Sequence, residues 1–432
     1  MKSFKMFKLL MLFLLIVAIG GSAIYAEKAE IVMTCNAGFP YDVAAKALVE
    51  SFEKQNPGIK VKVEHYPYAQ ILSVTEVKLG ARSAVPDIIF TDAPLVYAYT
   101  SRGYLLPLDK YFSGKEKSQW VPAALKTVKV NKKIMAAPLM NSTQVLYYNK
   151  KIFKEMGIPF PSKDPDKRMT YEQVLEIAKK LTIDTNKDGV TDIWGFCFAQ
   201  VNRTYQLLVL PESLGAKVIS RDGLKTTGII NSPKWIKAFQ FYQDLFNKWK
   251  VSPKGVSSSE TTNYFFSGRL AMVITGVFNF QKFNNTKGLE WDYAPHPYFA
   301  GGKPITPTGS WCLGVNRYSK NKEAAIKFVR YLTTAPGAIE WFKNDGHISP
   351  NKKVLDYIMA EPSYNKWPLT IYGLANHETQ ETAVPRPLTS GYREYEELLN
   401  ATFEDIRNGS NIKDSLTSAA GRIDRMLLKY KK

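Results

Sequence analysis

The chain has 432 residues, 45% of them apolar and 22% charged, a composition that suits a packed protein of two to three domains and excludes wholesale disorder. Its 58 Lys and Arg against 39 Asp and Glu leave a net charge of +19, which fits an acidic partner as well as a merely basic surface. With 4 His and with 3 Cys placed far apart at Cys35, Cys197 and Cys312, there is no CxxC, HExxH or zinc-ribbon spacing and no basis for a structural zinc or a disulfide scaffold.

Residues 1–26 carry Lys2, Lys5 and Lys8, then an unbroken apolar run from Leu9 to Ile19, then small residues from Gly20 to Ala26. This is the pattern of an export signal. The apolar run is shorter than the roughly 20 residues a membrane-spanning helix needs, so cleavage near Ala23 or Ala26 is expected and a retained anchor is the minor alternative. Losing those three lysines lowers the net charge from +19 to +16, so the basicity belongs to the folded protein. In an oxidising compartment three Cys allow one disulfide at most, and three separate buried thiols are the expected state.

Beyond the signal the pattern alternates strand and helix. Glu30 to Asn36 reads as a strand; Tyr41 to Gln55 reads as a helix with Ala44, Ala47, Leu48 and Phe52 on one face, stopped by Asn56-Pro57-Gly58. Ile59, Val61 and Val63 alternate as a second strand, and Pro86 to Phe90 is a short apolar run followed by Asp92. This order predicts an α/β layer with a mainly parallel sheet. A second region starts at the strand Gln144 to Tyr148. Thr170 with Gln173 is a capping box, followed by Val174, Ile177, Ala178 and Leu181 at helical spacing. Trp235 to Trp249 reads as a helix, and Arg269 to Thr275, Trp291 to Tyr298 and Trp311 to Val315 as strands. Ala325, Phe328, Val329 and Leu332 mark another helix, and Tyr392 to Tyr430 forms two helices broken at Asn408, Gly409 and Ser410. No Pro/Gly/Ser-rich linker separates the regions, which suits a chain that crosses between lobes several times.

The enzyme templates are missing: no GxSxG elbow, no GxxxxGK[ST] loop and no GxGxxG turn. Asp184, Asn186, Asp188 and Asp192, with Gly189 among them, match alternate positions of a calcium loop, but Gly195 stands where the completing bidentate Glu belongs. A structural calcium and a turn held by Asx hydrogen bonds are the two readings, and no other cofactor is expected. Of 24 Tyr, 23 Phe and 8 Trp most belong to the core, whereas Tyr41, Phe278 and Trp311 sit in polar or Gly-rich surroundings at element ends. A flat ring there can pack on the CH-rich face of a sugar while neighbouring Asp and Asn bind hydroxyls. The basic clusters Lys126, Lys129, Lys132, Lys133 and Lys248, Lys250, Lys254 lack interleaved stacking aromatics, which argues for a solvated surface and against nucleic acid.

Several segments together resemble the extracellular solute-binding proteins of bacterial ABC importers, in particular the family-one carbohydrate binders. They are Val85-Pro86-Asp87-Ile88-Ile89-Phe90 with Gly103 to Leu108, Ala137-Pro138 leading to Leu146-Tyr147-Tyr148-Asn149-Lys150, Asp184 to Gly195, Phe266 to Met272, and Gly309-Ser310-Trp311. The resemblance implies a two-lobed α/β periplasmic-binding-protein fold of type II, with an interlobe ligand cleft and hinge crossings near Asn141, Asp292 and Thr333. The lobes would then be residues 27–141 with 293–333, and 142–292 with 334–432. It implies that Tyr41 and Asp92 are first-lobe contacts, that Asn141 lies at the first crossing, and that Phe278 stands where the family often has a larger stacking Trp. It further implies that Gly309, Ser310 and Trp311 form the returning loop and that Arg386 reaches the cleft from a C-terminal loop.

The function implied by the resemblance is that of a monomeric, non-enzymatic protein that captures a sugar or oligosaccharide by hinge closure and delivers it to the transmembrane subunits of an ABC permease. The absence of a lipid-anchor Cys favours a free protein in a periplasm or outside the cell. An exported glycoside hydrolase and a binder of a non-sugar solute, such as a polyol phosphate or a peptide, are the alternatives.

Overall fold

The structure is a computed structural model, and it describes residues 29–38, 40–258 and 260–431. The expected export signal lies outside these residues. Ten strands build the two main sheets among the described residues: β1 (Ala29–Asn36), β2 (Ile59–Tyr66), β3 (Ile88–Asp92), β4 (Ala137–Ser142), β5 (Gln144–Asn149), β6 (Trp194–Phe198), β7 (Leu270–Gly276), β8 (Trp291–Ala294), β9 (Thr306–Val315) and β10 (Ala383–Pro385). The first sheet has the order β10-β9-β3-β1-β2 with β4 also paired to β9, and the second has the order β8-β5-β7-β6.

Local sequence explains the elements that frame the cleft. From Ile31 to Asn36 every residue of β1 is buried, and the helix Tyr41–Gln55 buries Ala44, Ala45, Leu48 and Phe52. In the second lobe Thr170 Oγ1 accepts the Gln173 amide at 3.2 Å while Gln173 Oε1 accepts the Thr170 amide at 2.9 Å, starting the helix Tyr171–Lys180. At the C-terminal end Gly409 adopts φ +105° between the helices Tyr392–Arg407 and Ile412–Leu427, a conformation that favours glycine. Cys35, Cys197 and Cys312 are free thiols buried in the core. Among the described residues no helix is long and apolar enough to cross a membrane.

Several expectations need correction. The sheets are mixed, not mainly parallel: β1 runs parallel to β2 and β3, but β9 is antiparallel to both β3 and β4, and β5 is antiparallel to β7 and β8. The cause is that β9 re-enters the first sheet from the other lobe and so runs against β3 and β4. The strand expected from Trp291 to Tyr298 ends at Ala294, directly before Pro295, which has no amide to donate. Between Ala294 of the second sheet and Thr306 of the first lies the second crossing, a little later than Asp292.

The third crossing is not at Thr333. The helix Gly337–Asp345 packs against Tyr41–Gln55 of the first lobe, and β10 pairs with β9 at Thr306, Pro307 and Thr308, so the first lobe extends well past residue 333. The chain returns to the second lobe after Pro385, where the helix Tyr392–Arg407 packs on Pro233–Asn247. The first crossing is at Thr143, between β4 and β5.

Candidate functional site

Carboxyl ends of strands from both sheets meet between the lobes, the place where open α/β sheets expose loops and helix starts. Asn36 ends β1, Asp92 ends β3 and Asn141 lies at the end of β4. β9 is antiparallel to β3 and β4, and its register sets Trp311 opposite Asp92, Ser310 opposite Asn141 and Gly309 opposite Ser142. From the second lobe come Gln200, Arg203 and Tyr205 after β6, and Phe278 after β7. Together these residues enclose a cavity of about 340 Å³. Two glycines make the approach possible. A Cβ at Gly276 would overlap the Phe278 ring, and one at Gly309 would come within 2.8 Å of Ser142 Oγ.

Aromatic rings line this cavity from both sides. Trp311 stacks on Phe90 with centroids 4.5 Å apart and planes 24° apart, and meets Tyr68 edge-on at 6.1 Å. At another part of the wall, His347 of the first lobe lies between two rings: Tyr41 at 5.4 Å and 29°, and Phe278 of the second lobe at 5.7 Å and 20°. The Arg203 guanidinium of the second lobe sits 5.6 Å from the Tyr68 ring of the first.

A buried charge cluster occupies the floor. Asp92 precedes the helix Ala93–Ser101 yet makes no capping bond; its carboxylate pairs with Arg386 instead. Arg386 also donates to the Tyr392 hydroxyl at 3.2 Å and lies 3.6 Å from Glu396 Oε1, which accepts the Tyr392 hydroxyl at 2.9 Å. Burial opposes the Arg386 charge, but Asp92, Tyr392 and Glu396 outweigh it and hold the guanidinium protonated. Burial likewise pushes Glu396 up from the usual carboxylate range, against the pull of Arg386. Two polar atoms of the lining, Arg386 Nε and Asn36 Oδ1, are buried with no hydrogen-bond partner.

Of the residues singled out in the sequence, Tyr41, Asp92, Asn141, Phe278, Gly309, Trp311 and Arg386 line the cavity, and the backbone of Ser310 is paired opposite Asn141. Asn141 Oδ1 is already engaged by the Thr308 hydroxyl and the Ser142 amide. The loop carrying Asp184, Asn186, Asp188 and Asp192 lies apart from this cavity, and its side chains accept backbone amides of the loop. Asp184 accepts the amides of Lys187 and Gly189, Asp188 accepts that of Val190, and Asp192 accepts that of Thr185, so the carboxylates hold their own turn. Among the described residues no group of three His, Cys, Asp or Glu is placed to hold a metal ion.

The sequence reading missed Tyr68, Arg203, Tyr205, His347 and Glu396. Arg203 and Tyr205 had a usable signal, since they lie in the segment after the buried strand end at Phe198. His347 had none beyond a lone His after a Gly.

The family described as bacterial extracellular solute-binding protein matches residues 36–339 of this chain. The multiple sugar-binding protein of Streptococcus mutans is 24% identical over 325 residues, 71% of this chain and 71% of its own length. An ABC substrate-binding protein from Listeria monocytogenes, solved in complex with cycloalternan, superposes with a TM-score of 0.80 at 23% identity, covering 94% of this chain and 100% of that one. An ABC transporter solute-binding protein from Thermotoga lettingae, bound with alpha-D-tagatose, has a TM-score of 0.77 at 23% identity, with coverage of 92% and 100%.

Proposed function

We infer, from the premise that this chain belongs to the bacterial extracellular solute-binding proteins, that it is the capture component of an ABC importer and that its cargo is a sugar or oligosaccharide. The observation that carries this reading is the lining of the interlobe cavity, where the faces of Trp311, Tyr41 and Phe278 alternate with buried, unpartnered polar atoms of Asn36 and Arg386. An apolar ligand would leave those polar atoms dry and unpaired, at a cost of about 1–3 kcal/mol each, whereas hydroxyls satisfy them and CH faces meet the rings. The cargoes named for the Streptococcus mutans, Listeria monocytogenes and Thermotoga lettingae proteins support the same class.

Capture works by hinge closure across the three crossings. A sugar held by the first-lobe residues Tyr41, Asp92 and Trp311 presents its other side to Phe278 and Tyr205 of the second lobe. The closed state is favoured only by the contacts it adds. Export by the N-terminal signal, action as a free monomer and delivery to permease subunits complete the reading. Hydrolysis fits the site less well. Two catalytic carboxylates must flank a glycosidic bond, yet Asp92 and Glu396 both face the Arg386 guanidinium.

The test is thermal melting of the mature protein with D-tagatose, maltose, maltotriose and cyclic oligosaccharides. A bound sugar at a hundred times its Kd stabilises the fold by about 2.7 kcal/mol and raises the melting temperature. No shift across the panel would remove the sugar reading, and appearance of shortened products would replace it with the hydrolase.

A further inference from the structure

His347 is placed by the end of a helix. The helix Gly337–Asp345 stops at Gly346, which takes φ +72°, and a Cβ there would collide with Gln281. The turn brings the His347 backbone amide to Asp345 Oδ1 at 2.7 Å, and His347 Nδ1 to within 3.0 Å of Asp345 Oδ2. The Tyr372 hydroxyl, donating to the Gly346 carbonyl at 2.7 Å, pins the same turn from outside. Asp345 is 2% exposed and His347 6% exposed.

Neither Nδ1 nor Oδ2 has a hydrogen-bond partner among the described residues, so the two face each other as a close polar pair outside hydrogen-bond alignment. Two bare lone pairs shut away at that separation would repel, so the single proton of the neutral ring belongs on Nδ1. Nε2 is then the acceptor. It borders the cavity, and its nearest polar neighbour is the Tyr41 hydroxyl at the long distance of 3.5 Å. Asn36 lines the same cavity, and its Oδ1 is buried without a donor. Two acceptors of the cavity lining therefore lack a good donor.

We propose that Asn36 and His347 form a two-acceptor subsite that selects for donating hydroxyls of the cargo, and that Asp345 sets this preference by fixing which His347 nitrogen carries the proton. The proposal rests on the sugar-capture reading and deepens it. His347 and Asn36 touch the ligand, whereas Asp345 is a positioning residue that acts through His347. An analogue lacking the hydroxyl would leave the acceptors unpaired, the situation in which a polar site discriminates most strongly.

Asp345→Asn tests it. The Asn oxygen can still accept the His347 amide, while its nitrogen donates to Nδ1 and moves the imidazole proton to Nε2. The chain has 4 His, so a long-range proton–nitrogen NMR spectrum of the full mature protein can resolve the ring nitrogens without any ligand. At neutral pH the wild type should show His347 protonated at Nδ1 and D345N should show it at Nε2. Titration calorimetry then uses the sugar that gives the largest melting shift in the panel, with its monodeoxy analogues. D345N should bind the parent sugar about ten- to a hundredfold more weakly. One monodeoxy analogue should lose affinity for the wild type and lose nothing further in D345N.

An Nε2-protonated His347 in the wild type would overturn the proposal, as would unchanged affinity and analogue ranking in a D345N protein whose proton has moved. If D345N does not fold, Asn36→Ala takes its place, and an unaltered analogue ranking there would overturn the two-acceptor subsite. A panel in which no sugar shifts the melt overturns the function proposed above, whereas the ring nitrogens still decide the proton assignment.

Discussion

The interlobe cavity and the hinge beside it are both built from buried polar side chains, but they treat them in opposite ways. At the hinge, Glu378 is completely buried, and Oε1 accepts Arg168 Nη1 at 2.6 Å and the His296 amide at 3.3 Å. Its Oε2 accepts the hydroxyls of Thr306, at 2.8 Å, and Thr382. One carboxylate thereby ties the second crossing, at His296 and Thr306, to Thr382, which leads into β10 just before the third crossing. In the cavity, Asn36 Oδ1 and Arg386 Nε are just as dry and remain unpaired. A saturated buried network specifies shape, whereas an unsaturated one is complete only with something else in place.

If that contrast is real, the hinge should answer to mutation in stability and the cavity in affinity. The largest effect is expected at Glu378→Ala, which strands Arg168 in the interior; breaking a buried pair from one side costs about 3–5 kcal/mol. Urea unfolding of the mature protein measures it. A loss below about 1 kcal/mol, the range of an exposed pair, would mean the hub does not hold the crossings.

Next in size is a pH effect. Burial lowers His296 from 6.5 to about 4, with Arg168 adding to the shift and Glu378 opposing it. The unfolded chain takes up this proton below 6.5 while the folded chain refuses it until about 4, so the stabilisation is complete above 6.5 and declines as the pH falls. The total is on the order of 3 kcal/mol. Arg168 holds Glu378 below its ordinary value despite burial, and this adds acid sensitivity of the same sign. His296→Gln should flatten the fall of the urea midpoint between pH 6.5 and 4. An unchanged slope would assign the acid sensitivity elsewhere.

The difference between hinge and cavity also governs what the sequence made legible. Elements announced by local chemistry came through: the capping box at Thr170 and Gln173, the apolar run before Asp92, the break at Gly409. The hinge did not. Thr334-Ala335-Pro336 does end a helix, but whether the next helix stays in the same lobe depends on its packing partner, Tyr41–Gln55, far earlier in the chain. Strand direction was hidden for the same reason, since β9 is antiparallel only because of where the chain comes from. Within the cavity, Asp92 was legible as a side chain at an element end; Gly309, Ser310 and Trp311, expected as a returning loop, instead lie inside β9, whose register sets Trp311 opposite Asp92. His347 was not legible, because its meaning lies in Asp345 behind it and Phe278 across the cleft. In the loop from Asp184 to Asp192 the same alternation of oxygens serves backbone turns, so spacing alone could not separate a turn from an ion site.

The smallest expected change, and the one that isolates the cavity from the fold, is Trp311→Ala. One face of the indole is committed to Phe90 at 4.5 Å, and the residue is only partly buried, so truncation removes less packing than deletion of a core ring. Its place opposite Asp92 is set by backbone pairing between β9 and β3, which does not need the side chain. The unliganded protein should therefore melt close to the wild type, whereas affinity for the sugar identified in the panel should fall about tenfold, the scale of one lost ring contact. Calorimetry and melting on the same preparation separate the two quantities. If affinity is kept and stability falls instead, the indole belongs to the first lobe's packing, and the ring surface that meets the cargo must be supplied by Tyr41 and Phe278.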